Sequence, residues 1–241
     1  MSVIVPAILP VSHEDLEQKL DALVGLTDSV QVDIVDGRFV VPPSWPYKNS
    51  DEPTPFPTSA GNETFSHLGQ LHFEMDMMVA DPEGAAGAWI TAGAERVVLH
   101  VESTNYLDRA IRHIGVVYGH SKDFAPDLLS VGIAINIQTD LALIEQYLEH
   151  VDFVQFMGIA NIGRQGEPFD KSVLKKISTF KRKHPKMQIQ VDGGVSLVTA
   201  PSLLTLGVNR LIVGSDIWHA SSPREELHKL NELVQEYGLY T

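Results

Sequence analysis

Short apolar runs rich in Val and Ile alternate with amphipathic stretches from end to end of this chain, eight times over, and no linker interrupts them. These observations predict an α/β fold, a single (β/α)8 barrel over residues 1–241. Near-continuous apolar strands are those buried on both faces, as parallel strands covered by helices are. The length would also allow two domains, but barrels of about 250 residues commonly form one unit.

The elements follow in order. VIVPAIL (3–9) reads as a strand and HEDLEQKLDALVGL (13–26) as a helix, with Ser12 as its N-cap and Asp15 three residues on. VQVDIV (30–35) is the second strand. Residues 42–62 then hold six of the fourteen prolines, too many for the interior of a strand or helix. They read as an insertion on the face where such barrels keep their sites, as a lid or as a passive loop, with Trp45 the residue to close over a ligand. LHFEMDMMV (71–79) precedes a helix from Asp81 and Pro82 to Ala92, and ERVVLHV (95–101) one over 105–118. SVGIAIN (130–136) precedes a helix over 140–149, and DFVQFM (152–157) one over 169–183. MQIQVDGG (187–194) leads to 198–206, and NRLIVG (209–214) to the last helices.

Eighteen basic against 31 acidic side chains give a net charge of −13, which argues against nucleic acid, because phosphate-backbone binders cluster Lys and Arg. The basic run TFKRKHPK (179–186) reads as a solvated helix end. Without cysteine there is no disulfide, thiolate nucleophile or Cys-based zinc site. No uncharged stretch reaches the ~18 residues of a membrane span, and MSVIVPAILP carries no targeting signal, so the expected location is cytoplasmic.

Alternation along each strand separates side chains facing the helices from those facing the barrel interior. Where Val30, Val32 and Ile34 face the helices, Gln31 and Asp33 point inward. The same rule sends Glu74, Asp76, His100, Glu102, Gln155, Met157, Gln190 and Asp192 inward. Five carboxylates, Asp33, Glu74, Asp76, Glu102 and Asp192, are therefore expected to converge near the carboxyl ends of the strands. Buried carboxylates raise one another's pKa, so the cluster calls for a cation, shared protons or a basic partner. His100, Arg96 at a strand start and Arg164 from a loop are the candidates for the last. Asp33 and Asp192 suit proton removal on one face of a carbon and delivery on the other, and a metal beside them would polarise a carbonyl.

The seventh strand ends in VDGGV (191–195) and the eighth in VGSDI (213–217), each at an expected helix start. Glycines let the backbone approach an anion there, which would reconcile an acidic protein with a phosphorylated ligand. Arg164 and the glycines of NIGRQGEPF (161–169) are placed to close over it.

Together, PAIL, VDIVDGRFVVP (32–42), EMDMM, HVE (100–102), FMGIANIGRQGEPF (156–169), QVDGGV and VGSDI resemble the ribulose-phosphate 3-epimerase family over most of the chain. The resemblance implies a ribulose-phosphate-binding barrel that inverts a carbon beside a carbonyl, with a metal-stabilised enediolate. It implies Asp33 and Asp192 as acid/base pair and metal ligands, and Gly166, Gly193, Gly194, Gly214 and Ser215 at the phosphate. It also implies a homodimer or higher homo-oligomer. Ala7 stands where the family has serine, and Gln31 and Asp76 where it has its two metal histidines. The remaining set, Gln31, Asp33, Asp76 and Asp192, suits Mg or Mn better than Zn, and no organic cofactor is expected. Asp76-Met77-Met78 lacks the Asp-x-Lys motif of related decarboxylase and aldolase barrels. Two functions follow: a sugar-phosphate epimerase, or a phosphosugar-binding barrel that has lost the usual metal site and turnover.

Overall fold

A computed structural model of the chain describes residues 3–49, 65–122 and 124–237. Eight strands, β1 (Val3–Ile8), β2 (Ser29–Val35), β3 (His72–Met78), β4 (Arg96–His100), β5 (Ser130–Ile135), β6 (Phe153–Met157), β7 (Gln188–Asp192) and β8 (Arg210–Val213), pair in parallel in chain order. The barrel closes where Val3 to Pro6 of β1 run beside Arg210 to Val213 of β8. The helices are α1 (His13–Leu23), α2 (Pro82–Thr91), α3 (Leu107–Tyr118), α4 (Ser172–Lys183), α5 (Ala200–Thr205), α6 (Ser215–Trp218) and α7 (Pro223–Tyr237).

Alternation holds around the barrel. Val30, Val32, Ile34, Phe73, Met75, Met77, Val97, Leu99, Val154, Phe156, Ile189 and Val191 join the shell between strands and helices. A separate cluster of Val35, Met78, Val98, Ala134, Phe153 and Met157 fills part of the interior. α1 begins as its sequence predicts: Ser12 Oγ accepts from Asp15 N at 3.1 Å, and Leu16, Leu20 and Leu23 bury one face. The Asp15 carboxylate takes the N–H of Val11 instead of closing a full capping box.

One crossover differs from expectation. The helix predicted over 140–149 is a pair of 3-10 turns, Leu141–Leu143 and Glu145–Tyr147, opened by Asp140 accepting from Ala142 N at 2.8 Å. Ile144 and Leu148 still bury their side chains at helical spacing. A 3-10 turn rises about 2.0 Å per residue against 1.5 Å, so a short crossover spans the barrel's length with fewer residues. Between β2 and β3, the described residues contain one 3-10 turn, Tyr47–Asn49. Among the described residues no helix is long and apolar enough to cross a membrane.

Candidate active site

The inward polar residues lie in two layers. In the lower one, near the amino ends of the strands, the buried Glu74 meets Arg96 Nε at 2.6 Å and Arg210 at 3.3 Å. Those arginines open β4 and β8. Glu74 is therefore not part of an acidic mouth, as its alternation suggested. It sits two residues, or about 6.6 Å of strand, below Asp76, and burial's upward pull on its pKa is overcome by Arg210 and Arg96, which hold it below the ordinary value. Arg96 was among the expected basic partners, whereas Arg210, at the start of β8, was not singled out.

Above this floor, Asp33, Asp76 and Asp192 each offer an oxygen within 4.8 Å of the others. Gln31 bridges two of them, its amide nitrogen donating to Asp33 Oδ1 at 2.9 Å and to Asp192 Oδ2 at 3.3 Å. Gln31 was expected as an oxygen ligand for a metal; the structure turns its nitrogen to the carboxylates and its oxygen to Gln190. Asp76 pairs through Oδ1 with His100 Nε2 and accepts from Gln155 Nε2 at Oδ2, both at 2.9 Å.

Burial, followed by the charges of Asp192 and Asp76, pushes Asp33 well above the usual carboxylate range, against the Gln31 hydrogen bond. Burial and Asp76 likewise raise Asp192 to about 7, opposed by Gln31 and His100. For His100, burial disfavours the imidazolium, but the charge and hydrogen bond of Asp76 prevail and raise its pKa. A stability effect follows. Asp192 holds its proton in the fold between the ordinary 3.8 and about 7, where the unfolded chain has lost it. Its contribution is therefore fully present below the unfolded value and is lost as pH rises through the folded one. Without added metal, the Tm of the wild type is expected to fall from about pH 5 to about pH 8. The Asp192→Asn variant should show a smaller fall; equal falls in calorimetry would contradict this.

Glu102 lies elsewhere than predicted. β4 ends at His100 and the chain turns, with Ser103 N bonding to His100 O, so alternation no longer governs residue 102. Its Oε1 accepts from Asn136 N at 2.8 Å beyond the end of β5, while Oε2 is buried without a partner among the described residues.

Beside the Asp pair, one cavity of about 40 Å³ is lined by Ala7, Asp33, Met157, Arg164, Gly166 and Asp192. Gly193, Gly194, Gly214 and Ser215 complete its wall, so the predicted phosphate residues do share a pocket with the predicted acid/base pair. Gly193 and Gly194 have φ of 98° and 66°, and a Cβ on Gly194 would stand 2.7 Å from Phe169 Cα. Only glycine suits both the backbone sign and the space. The expected helix starts are weaker than predicted: α5 begins at Ala200, after a bend, and α6 has four residues. Gln165, also in this wall, was not singled out from the sequence; its Nε2 is buried with no partner among the described residues. The Arg164 guanidinium is on an exposed loop, its Nε donating to Val41 O at 3.5 Å.

The described start of the proline-rich segment anchors outside the barrel. Ser44 Oγ accepts from Val35 N at 2.9 Å and donates to Asp33 O at 3.1 Å. Trp45 packs on Trp89 of α2, with centroids 6.1 Å apart, and does not close over the cavity. Residues 50–62, the rest of the expected insertion, lie outside the described residues.

The model of the ribulose-phosphate 3-epimerase family matches residues 3–218. The chain belongs to this family. Among curated relatives, a ribulose-phosphate 3-epimerase of Schizosaccharomyces pombe is 26% identical, covering 97% of this chain and 94% of its own. Another, of Bacillus subtilis, is 27% identical over 95% of this chain and 98% of its own. Solved structures share the barrel fold: 3-hexulose-6-phosphate synthase of Salmonella typhimurium at 19% identity and a TM-score of 0.66, covering 98% of this chain and 99% of its own. 3-Keto-L-gulonate-6-phosphate decarboxylase of Vibrio cholerae has 13% identity and a TM-score of 0.67, with 98% of each chain covered. At those identities the likeness is one of fold. Met78 of this epimerase-family chain is buried in the interior where the Asp-x-Lys motif of related barrels would put lysine.

Proposed function

We propose that the protein is a sugar-phosphate 3-epimerase acting on a ribulose-5-phosphate-like ketose phosphate. The observation that carries the reading is the pair of buried carboxylates, Asp33 and Asp192, joined by the Gln31 amide and opening on a glycine-lined cavity. Their raised pKa values suit a pair holding a proton at neutral pH. The ionised member takes the proton from the carbon beside the carbonyl, and the protonated member returns one to the opposite face. In the reverse reaction the two exchange roles.

Backbone at Gly166, Gly193, Gly194 and Gly214, with Ser215, would hold the phosphate. Neutral N–H groups attract an anion without net positive charge, which suits a chain of charge −13. The cavity's 40 Å³ is about the space of one water, so the loop that carries Arg164 must shift to admit a sugar. Met78 and Met157 line its apolar side and exclude water beside the reacting carbon. The three carboxylate oxygens fit a hard divalent ion, with Mg or Mn favoured over Zn; Asp33, Asp76 and Asp192 would hold it. When bound, it would stabilise negative charge developing on the carbonyl oxygen. A cytoplasmic setting and a homo-oligomer go with this reading.

A second reading, a phosphosugar-binding barrel without turnover, is favoured by one observation: both Asp76 oxygens already have N–H partners. Incubation with ribulose 5-phosphate and related ketose phosphates in deuterium oxide, with Mg, Mn, Zn or Fe, separates the two. Epimerisation is expected to place solvent deuterium at the carbon beside the carbonyl. A phosphosugar-induced thermal shift with no incorporation under any of these ions would overturn the epimerase in favour of the binder.

A further inference from the structure

Between the Asp pair and the barrel floor lies a buried polar connection with a defined direction. Gln190 is fully buried and has charged groups at both ends of its amide. Its Oε1 accepts from Arg210 Nε at 3.0 Å, and its Nε2 donates to Glu74 Oε1. A guanidinium can only donate and an ionised carboxylate can only accept. Flipping Gln190 would set oxygen against Glu74 and NH2 against Arg210, so the floor permits one orientation.

That choice passes upward. Gln190 Nε2 also meets Gln155 Oε1 at 2.6 Å and Gln31 Oε1 at 3.2 Å. With one of its two hydrogens on Glu74 and the other shared by these two oxygens, the Gln190 NH2 favours oxygen on both glutamines, which turn NH2 toward the carboxylates above, Gln31 to Asp33 and Asp192 and Gln155 to Asp76. We propose that Glu74 and Gln190 are positioning residues: an ion-paired carboxylate at the barrel floor fixes, through one amide, two N–H donors on the acidic cluster. This rests on the epimerase reading for its effect on turnover, but the amide orientations stand apart from it. The relay also gives Gln31 a reason to be an amide: it joins two aspartates with one nitrogen while answering Gln190 with its oxygen. Polar networks of this kind orient the groups that touch substrate, and losing such a partner commonly lowers activity roughly tenfold to hundredfold.

The test is Gln190→Met, which keeps the side chain's length, removes both polar ends and leaves Glu74 with its arginines. NMR of isotope-labelled glutamine side chains reports the Gln31 and Gln155 NH2 groups whether or not the protein turns over substrate. In the wild type these protons are expected to be shifted downfield and slow to exchange with solvent; in Gln190→Met, to lose both properties, with kcat down roughly tenfold or more and KM little changed. Gln190→Leu provides a second variant should the first fold poorly. Unchanged NH2 signals in a folded variant would overturn the relay. Changed signals in a protein whose wild type incorporates no deuterium would support the relay and remove the epimerase reading.

Discussion

Asp192→Asn is expected to reduce deuterium incorporation into ribulose 5-phosphate by a factor on the order of 10² to 10⁴, the usual weight of a positioned acid or base. An amide can neither take nor deliver the proton, while its shape keeps the contact with Gln31. Asp33→Asn should do the same, because each face of the carbon needs its own group. Phosphosugar affinity should change little in either variant, because the glycine-lined wall is backbone. Titration calorimetry alongside exchange rates measured by NMR checks both points. An Asn variant within a few-fold of wild type in exchange would remove that aspartate from the chemistry.

The second large effect concerns stability. Glu74→Ala is expected to cost about 3–5 kcal/mol in urea unfolding, because it leaves Arg96 and Arg210 as partly buried charges without their carboxylate. A companion variant tests whether the loss is mostly the cost of stranding charge. Replacing Glu74, Arg96 and Arg210 together by Met should recover a large part of the stability, since apolar packing can replace a buried ion cluster of similar volume. If the single variant lost less than about 1 kcal/mol, the cluster would have the weight of a surface pair.

Strand alternation made the interior legible before any coordinates, because a period of two fixes which face a side chain leaves by. It put Gln31, Asp33, Asp76, His100, Gln155, Gln190 and Asp192 inside, and all are buried there or at the interior wall. Ser12 as N-cap and the glycine turns after β7 and β8 were also legible, each from local chemistry. Trp45 was not: a tryptophan in a proline-rich loop carries no sign of which surface it covers, and here that surface is Trp89. The segment 140–149 has helical spacing at Ile144 and Leu148, but a 3-10 turn buries the same two side chains.

The sequence by itself determined the barrel, the inward set and the grouping of acidic residues with glycine turns, since all of these depend on periodicity and residue type. Depth and direction were decided only by the tertiary structure. Strand register sets Glu74 beside Arg96, which separates it from Asp76 although both point inward. β4 ends at His100, which takes Glu102 out of the alternation. The direction of the Gln31 amide depends on Gln190, 159 residues away in sequence. An amide can present either end to its neighbours, and the groups packed above and beneath it choose between them.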